Sequence, residues 1–240
     1  MGTPHLTGQT VFCQTVCSSQ VALSSEMWEA VRVARKYEQQ IRAETAEETR
    51  RRILDAVAQR MREAPAEPLT LDQVAKLARV ARSTIYLIFG SRPALFDAFA
   101  KDLTARTGLA GLTEAVAHRD ARRHLRDGVA AACRMYAQDL AVYRVLFTMN
   151  HLDPASLDGA VEKMEQNRAG GMAYLAQRLA EDGALRDDVT IEQAIDILWV
   201  LCSFETFDAL HTGLGKSVDE SVEVIVRMAE RSLCKPAASA

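Results

Sequence analysis

An all-α fold in two domains is what the sequence predicts, and three observations predict it. Only 6 prolines and 12 glycines interrupt 240 residues that are rich in the strong helix formers Ala, Leu, Glu and Arg. No run of alternating apolar and polar residues bounded by turn signals marks a sheet. Apolar residues recur instead at helical spacing, with breaks at Gly, Pro and Asp. With 48% hydrophobic and 25% charged residues the chain can bury a core. No segment is apolar and long enough to span a bilayer. The N-terminus lacks the basic start and apolar run of a secretory signal.

Residues 1–25 carry no Lys, Arg, Asp or Glu and are rich in Ser, Thr and Gln. They predict a flexible arm over 1–27. Met27 opens a charged, helix-favouring segment, and this raises Met27 as a natural start. Helical spacing of Val31, Ala34, Tyr37 and Ile41 follows over 28–43. Over 44–63 the apolar stripe is Ile53, Leu54, Val57, Ala58 and Met61, with Arg50, Arg51, Arg52, Asp55, Arg60 and Arg62 assigned to the wet side. Pro65 and Pro68 close this helix.

Thr70 and Gln73 form a capping box for a helix over 71–78, with Val74, Ala75 and Leu77 facing the core. A turn, Arg79-Val80-Ala81, leads to a short helix over 82–89, which Gly90 ends. Ser91 caps the next helix, Pro93 falls in its tolerant first turn, and Leu95, Phe96, Phe99 and Leu103 are its apolar face. Beyond Gly108 and Gly111 the pattern predicts helices at about 119–137, 139–149, 154–182, 190–212 and 217–234. The domains are thus 28–106 and 107–240. Their charge differs: +3 over 26–106 and −6 over 107–240. That balance suits one module facing a polyanion and one facing something else.

The helices at 71–78 and 82–89 and their short turn have the form of a helix-turn-helix whose second helix enters the DNA major groove. Arg82, Ser83 and Tyr86 are the candidate base readers, with Leu87 beside them, and Thr70, Thr84 and Arg92 the candidate phosphate clamps. Arg92 also sits beside a helix N-terminus, where an anion is favoured. Ile85, Ile88 and Phe89 are the inward anchors.

These residues resemble the TetR family of transcriptional regulators. The resemblance rests on Ile53 to Ala56, Thr70 to Ala75, Ala78 to Ala81, Ser83 to Tyr86, Phe89 to Arg92, and Leu95-Phe96, and covers residues 44–105. It implies an Ω-shaped homodimer that binds a palindromic operator and releases it when a small molecule enters the C-terminal domain. Three positions depart from the family pattern. Arg79 stands where the turn usually has glycine, which predicts a left-handed residue at a cost of ~1 kcal/mol. Ala81 stands where a Ser or Thr often caps the recognition helix. Ile88 replaces a common His or Tyr.

In the second domain the segment 190–211 is apolar nearly all round, which demands burial on both sides. With the last helix it predicts a four-helix dimer interface through Leu198, Cys202, Val222, Ile225, Val226 and Ala229. A deep monomer core is the alternative for the same residues. An effector pocket for an apolar or amphipathic molecule would be lined by Tyr136, Tyr143, Phe147, Met164, Met172, Trp199, Phe204 and Phe207, with His211 and Glu205 as candidate polar handles. Plain core packing is the commoner use of these residue types at helical spacing.

No Gly-rich phosphate loop, metal-spaced ligand set or nucleophile elbow marks an enzyme, and the five histidines are dispersed. No cofactor is expected. The five cysteines are odd in number and scattered, as in a reducing cytoplasm. The leading expectation is a ligand-responsive repressor. The alternative is a helical protein-interaction adaptor that does not bind DNA.

Overall fold

The computed structural model describes residues 25–236. The flexible arm expected over 1–27, with Cys13 and Cys17, lies almost wholly outside the described residues. Among the described residues no strand is present beyond one isolated bridge between Leu185 and Cys234. Among the described residues no helix is long and apolar enough to cross a membrane. The chain divides into two compact units between Thr45 and Ala46.

Helix α1 (Ser25–Glu63) spans that division. In the first unit it is a charged helix with exposed Tyr37 and Ile41 and with short-range pairs such as Arg42–Glu38 at 3.6 Å. In the second unit its face changes character. Ile53, Leu54, Val57, Ala58 and Met61 are all buried, as their spacing predicts. Arg60 is a correction: it is buried, not on the wet side. Its guanidinium donates to the Ala64 carbonyl at 2.9 Å and to Glu67 at 2.7 Å, so it closes the helix end instead of facing solvent.

Helices α2 (Leu71–Ala78) and α3 (Arg82–Phe89) follow with the expected bounds, and α4 (Arg92–Thr107) starts after its Ser91 cap as expected. Leu71 and Val74, Ile85, and Leu95, Phe96 and Phe99 close over the α1 stripe in one buried cluster. α4 then continues into the remainder of the unit, where it packs on the helix over Ala160–Glu181.

The rest is helical, with three differences from the sequence reading. Helix α5 (Leu109–Ala117) occupies the stretch where two glycines suggested a junction. Gly108 starts it because the next helix lies so close: a Cβ at Gly108 would stand 2.8 Å from the Met135 Cβ. Helices α6 (Ala121–Gln138) and α7 (Leu140–Leu152) are as expected. The second difference is at 154–182. A 3-10 turn (Pro154–Leu157) comes first, and left-handed Asp158 and Gly159 separate it from α8 (Ala160–Glu181).

The third difference is at 190–212. The expected single helix is α9 (Ile191–Leu201), α10 (Phe204–Asp208) and a π turn (Ala209–Gly213). Ser203 breaks it by taking an extended conformation and accepting from the Thr206 N–H at 3.1 Å. The Thr206 hydroxyl in turn donates to the Val200 carbonyl at 2.6 Å. A serine offers the backbone this alternative to helix, even inside an apolar run. Helix α11 (Val218–Leu233) ends the unit, packed on α6 and α9.

Candidate DNA interface and ligand cavity

The interface begins with a cap. The Thr70 side chain accepts from the Gln73 N–H, and the Gln73 side chain accepts from the Thr70 N–H at 3.1 Å, closing both orphan donors of α2. The Thr70 hydroxyl also donates to the Gln73 amide oxygen at 2.8 Å, so the predicted phosphate contact is occupied by the cap. Arg79 ends α2 at φ 56, ψ 47, the left-handed conformation the sequence predicts. Val80 N–H then returns to the Ala75 carbonyl at 3.0 Å and fixes the turn. Ala81 precedes α3 with no side-chain cap.

On α3, Ile85 is fully buried and Ile88 and Phe89 are half-buried, as anchors should be. Arg82, Ser83, Tyr86 and Leu87 are exposed and Thr84 half-exposed. Leu87 is 85% exposed, an unusual place for a leucine unless a partner covers it. Arg82 pairs with Asp72 at 3.2 Å, and its guanidinium lies 5.9 Å from the Tyr86 ring. Both members of that pair are open to solvent, so the pairing is weak. Ser91 caps α4 by accepting from Ala94 N–H at 3.2 Å. Arg92 differs from Arg82. It is paired with Asp158, partly buried, and lies 4.7 Å over the Phe96 ring. To clamp a phosphate it must leave Asp158.

Beyond this surface, helices α4, α5, α6, α7, α8 and α9 line a cavity of about 780 Å³. Of the predicted lining residues, Tyr136, Phe147, Met164 and Met172 reach its wall. Tyr143, Phe204 and Phe207 are packed instead into an aromatic cluster behind it. Tyr136 stands edge-on to Tyr143 and Phe204 at 5.2 and 5.5 Å, and Phe204 also faces a second cavity of about 450 Å³. Trp199 lies under the Arg168 guanidinium at 3.7 Å, away from the wall. His211 stacks on Phe207 at 5.3 Å, outside the cavity, and Glu205 lines the second one.

The predicted dimer set divides too. Leu198, Ile225 and Ala229 are fully buried within the chain itself, which corrects their assignment to an interface. Leu198 and Cys202 line the cavity. The apolar groups that α9 and α11 leave in solvent are Val200, 61% exposed, and Met228, 49% exposed, with Val222 and Val226 half-buried nearby in sequence.

Sequence reasoning missed the polar wall. Asp97 on α4 accepts from Lys101 at 2.8 Å and from Lys163 on α8 at 3.1 Å, and these two ammonium groups hold its carboxyl below the usual range. Arg168 donates to Glu165 at 3.1 Å and to the Trp199 carbonyl at 2.9 Å. His124 on α6 is buried in the wall, and its Nδ1 has no hydrogen-bond partner. Its neighbours in sequence gave no sign of this, because only the packing of helices far apart in sequence brings the groups together.

Residues 53–99 match the family model of bacterial regulatory proteins, tetR family. No curated protein matches the chain. Solved structures match across most of it. A TetR family transcription regulator from Marinobacter aquaeolei VT8 is 16% identical, covers 80% of this chain and 99% of its own, and has a TM-score of 0.62. NalD of Pseudomonas aeruginosa, the secondary repressor of the MexAB-OprM multidrug efflux pump, is 23% identical over 81% of this chain and 100% of its own, at 0.63. The fatty acid degradation regulator FadR from Bacillus halodurans is 16% identical over 76% and 94%, at 0.64.

Proposed function

The chain has the fold of the TetR family of transcriptional regulators, and from that premise we propose a ligand-responsive repressor that binds a palindromic operator as a homodimer. The observation that carries the reading is α3. Eight residues long and anchored by Ile85, it offers Arg82, Ser83, Tyr86 and Leu87 to whatever lies in front of it. A two-fold pair of such helices reads a palindrome with far more affinity than one. Val200 and Met228, with Val222 and Val226, are the residues we assign to the seam between protomers.

The cavity is the effector site in this reading. Its wall includes Ala100, Lys101 and Thr104 of α4, the helix whose first residues are Ser91-capped Arg92 and Pro93. A ligand that moved α4 would move α3 with it, and the DNA-bound and ligand-bound states would differ in the spacing of the two recognition helices. NalD and FadR are regulators of an efflux pump and of fatty acid degradation, and an apolar or amphipathic effector for this chain is in keeping with that company.

The test is selection of binding sites from a random-sequence duplex pool, followed by mobility shifts over a salt series. A selected palindrome bound with an affinity that falls steeply with salt is the expected result. Tyr86→Ala and Arg92→Ala should each weaken binding about tenfold. No palindrome, or binding untouched by both substitutions, sinks the reading and leaves the adaptor.

A further inference from the structure

The cavity lining that also reaches solvent carries an excess of positive charge. Lys101 of α4 and Lys163 of α8 each give one donor to Asp97, at 2.8 and 3.1 Å, and their side chains stay 75% and 62% exposed. A lysine ammonium carries three N–H donors, so each keeps two to give. One carboxylate between two ammonium groups leaves the cluster net positive. Asn167 stands one turn beyond Lys163 on the same face of α8, exposed, lining the cavity and with no hydrogen bond to its side chain among the described residues. The other polar groups of the wall are engaged or closed off. Arg168 is held by Glu165, the Trp199 carbonyl and the Trp199 ring. Tyr136 donates to the Cys202 carbonyl at 3.4 Å, Thr104 to the Ala100 carbonyl at 3.0 Å, and Gln166 to Glu162, which lies outside the wall, at 3.3 Å. Burial, then Arg178 and His118, press His124 toward its neutral form, and its Nδ1 is sealed within the protein. The floor is apolar: Val129, Met135, Leu175 and Leu198 are all buried. Gly128 and Gly171 line it too. A Cβ added at Gly171 would meet nothing within 4 Å, and one at Gly128 only the His124 ring edge at 3.8 Å. A helix interior disfavours glycine, so here stability is given up and space is left that the chain does not fill.

We propose that the cavity takes an amphiphile with a single anionic head, a carboxylate on an apolar chain, whose head sits at Lys101, Lys163 and Asn167 and whose chain lies on the apolar floor. The proposal rests on the reading of this cavity as the effector site. A carboxylate accepts from both ammonium groups and from the Asn167 amide, and its one charge cancels the one that Asp97 leaves over. Across the whole lining Lys101, Lys163 and Arg168 outnumber Asp97 and Glu165 by one, so the balance is the same. An ammonium head would meet two like charges, and the carboxylate there already accepts from both lysines. A hydroxyl head can bond to Asn167 but leaves the excess charge uncompensated.

Three probes with one eight-carbon chain separate these cases: octanoate, 1-octanol and octylammonium, titrated calorimetrically into the full-length protein at low salt. Octanoate should bind at least about tenfold tighter than octylammonium and about threefold tighter than octanol, and added salt should erode its advantage. Two substitutions push octanoate in opposite directions, which misfolding cannot do. Lys163→Gln should weaken it about threefold to tenfold, and Asp97→Asn should tighten it by a similar factor, with octanol within about twofold of its starting affinity in both. Gly171→Leu fills the cavity and should abolish binding of all three, which places the chain inside and not on surface lysines. Circular dichroism checks that each variant folds. Octanol or octylammonium binding as tightly as octanoate, octanoate indifferent to Lys163→Gln or to Asp97→Asn, octanoate retained by Gly171→Leu, or no binding of any probe would each overturn the proposal. Octanoate binding that follows this pattern but leaves operator affinity unchanged supports it while removing the effector role. Operator release by all three probes alike keeps the effector role and overturns the anionic head.

Discussion

Helices α3 and α9 are both short, both apolar on paper, and built in opposite ways. α3 ends where the sequence says it should, because its start, turn and stop are set by immediate neighbours: left-handed Arg79, extended Ala81 and Gly90. It keeps Ile85 for the core, packs Ile88 and Phe89 against it, and leaves Arg82, Ser83, Tyr86 and Leu87 in solvent. α9 keeps Ala194, Leu198 and Leu201 for the core and ends early, at Ser203. What α9 faces is set by α8 and α11, far away in sequence. A reading surface can be local. A cavity cannot, because its walls come from six helices.

The sharpest way to break this comparison is to ask whether the two regions fold apart. Residues from Ala46 onward form one compact unit, and α4 belongs to both the helix-turn-helix and the cavity wall. Phe99 on α4 is 1% exposed in the shared core. Phe99→Ala should cost about 3–5 kcal/mol in urea denaturation. It should shift tryptophan fluorescence and circular dichroism transitions together. Two separated transitions, only one of them moved, would show that the local and non-local regions are independent.

A smaller effect sharpens the difference between two arginines. Arg82 and Arg92 both have carboxylate partners, but the Arg82–Asp72 pair is in solvent and the Arg92–Asp158 pair is partly buried. An exposed pair is exchanged for DNA at little cost. Arg82→Ala should therefore lose about 1–3 kcal/mol of operator affinity and relax discrimination at one base pair, measured by mobility shift on single-base operator variants. A uniform loss across all variants would move Arg82 from the base readers to the phosphate clamps.

The same contrast governs how much the sequence revealed. Caps, turns and the α1 stripe are encoded within a few residues, so Thr70, Arg79, Ser91, the bounds of α2 and α3 and the start of α4 were legible. Arg60 was not, since its burial depends on Glu67 and the Ala64 carbonyl folding back over it. Helix α5 was hidden by Gly108 and Gly111, which signal a loop locally but here permit close approach to α6. Tyr136, Phe147, Met164 and Met172 were placed at the cavity by residue type. Type alone cannot separate them from Tyr143 and Phe207, which share their chemistry and face the other way. His124 was invisible for a stronger reason: a lone histidine on a helix has no spacing to read.

The smallest effect tests the most local feature of all. Arg79 sits at φ 56 in a turn where glycine would be at ease. For an L-residue that conformation costs about 1–2 kcal/mol, and glycine returns part of the gain through its larger unfolded-state entropy. Arg79→Gly should therefore stabilise the chain by about 0.5–1 kcal/mol, read as a rise of roughly 1–4 °C in Tm. Arg79→Ala keeps the left-handed penalty and removes the same charge. If both variants gained equally, charge would be the cause and the turn would carry no strain. If only Arg79→Gly gained, the helix-turn-helix holds a backbone compromise at its turn that neighbouring hydrogen bonds, Val80 N–H to Ala75 among them, are sufficient to sustain.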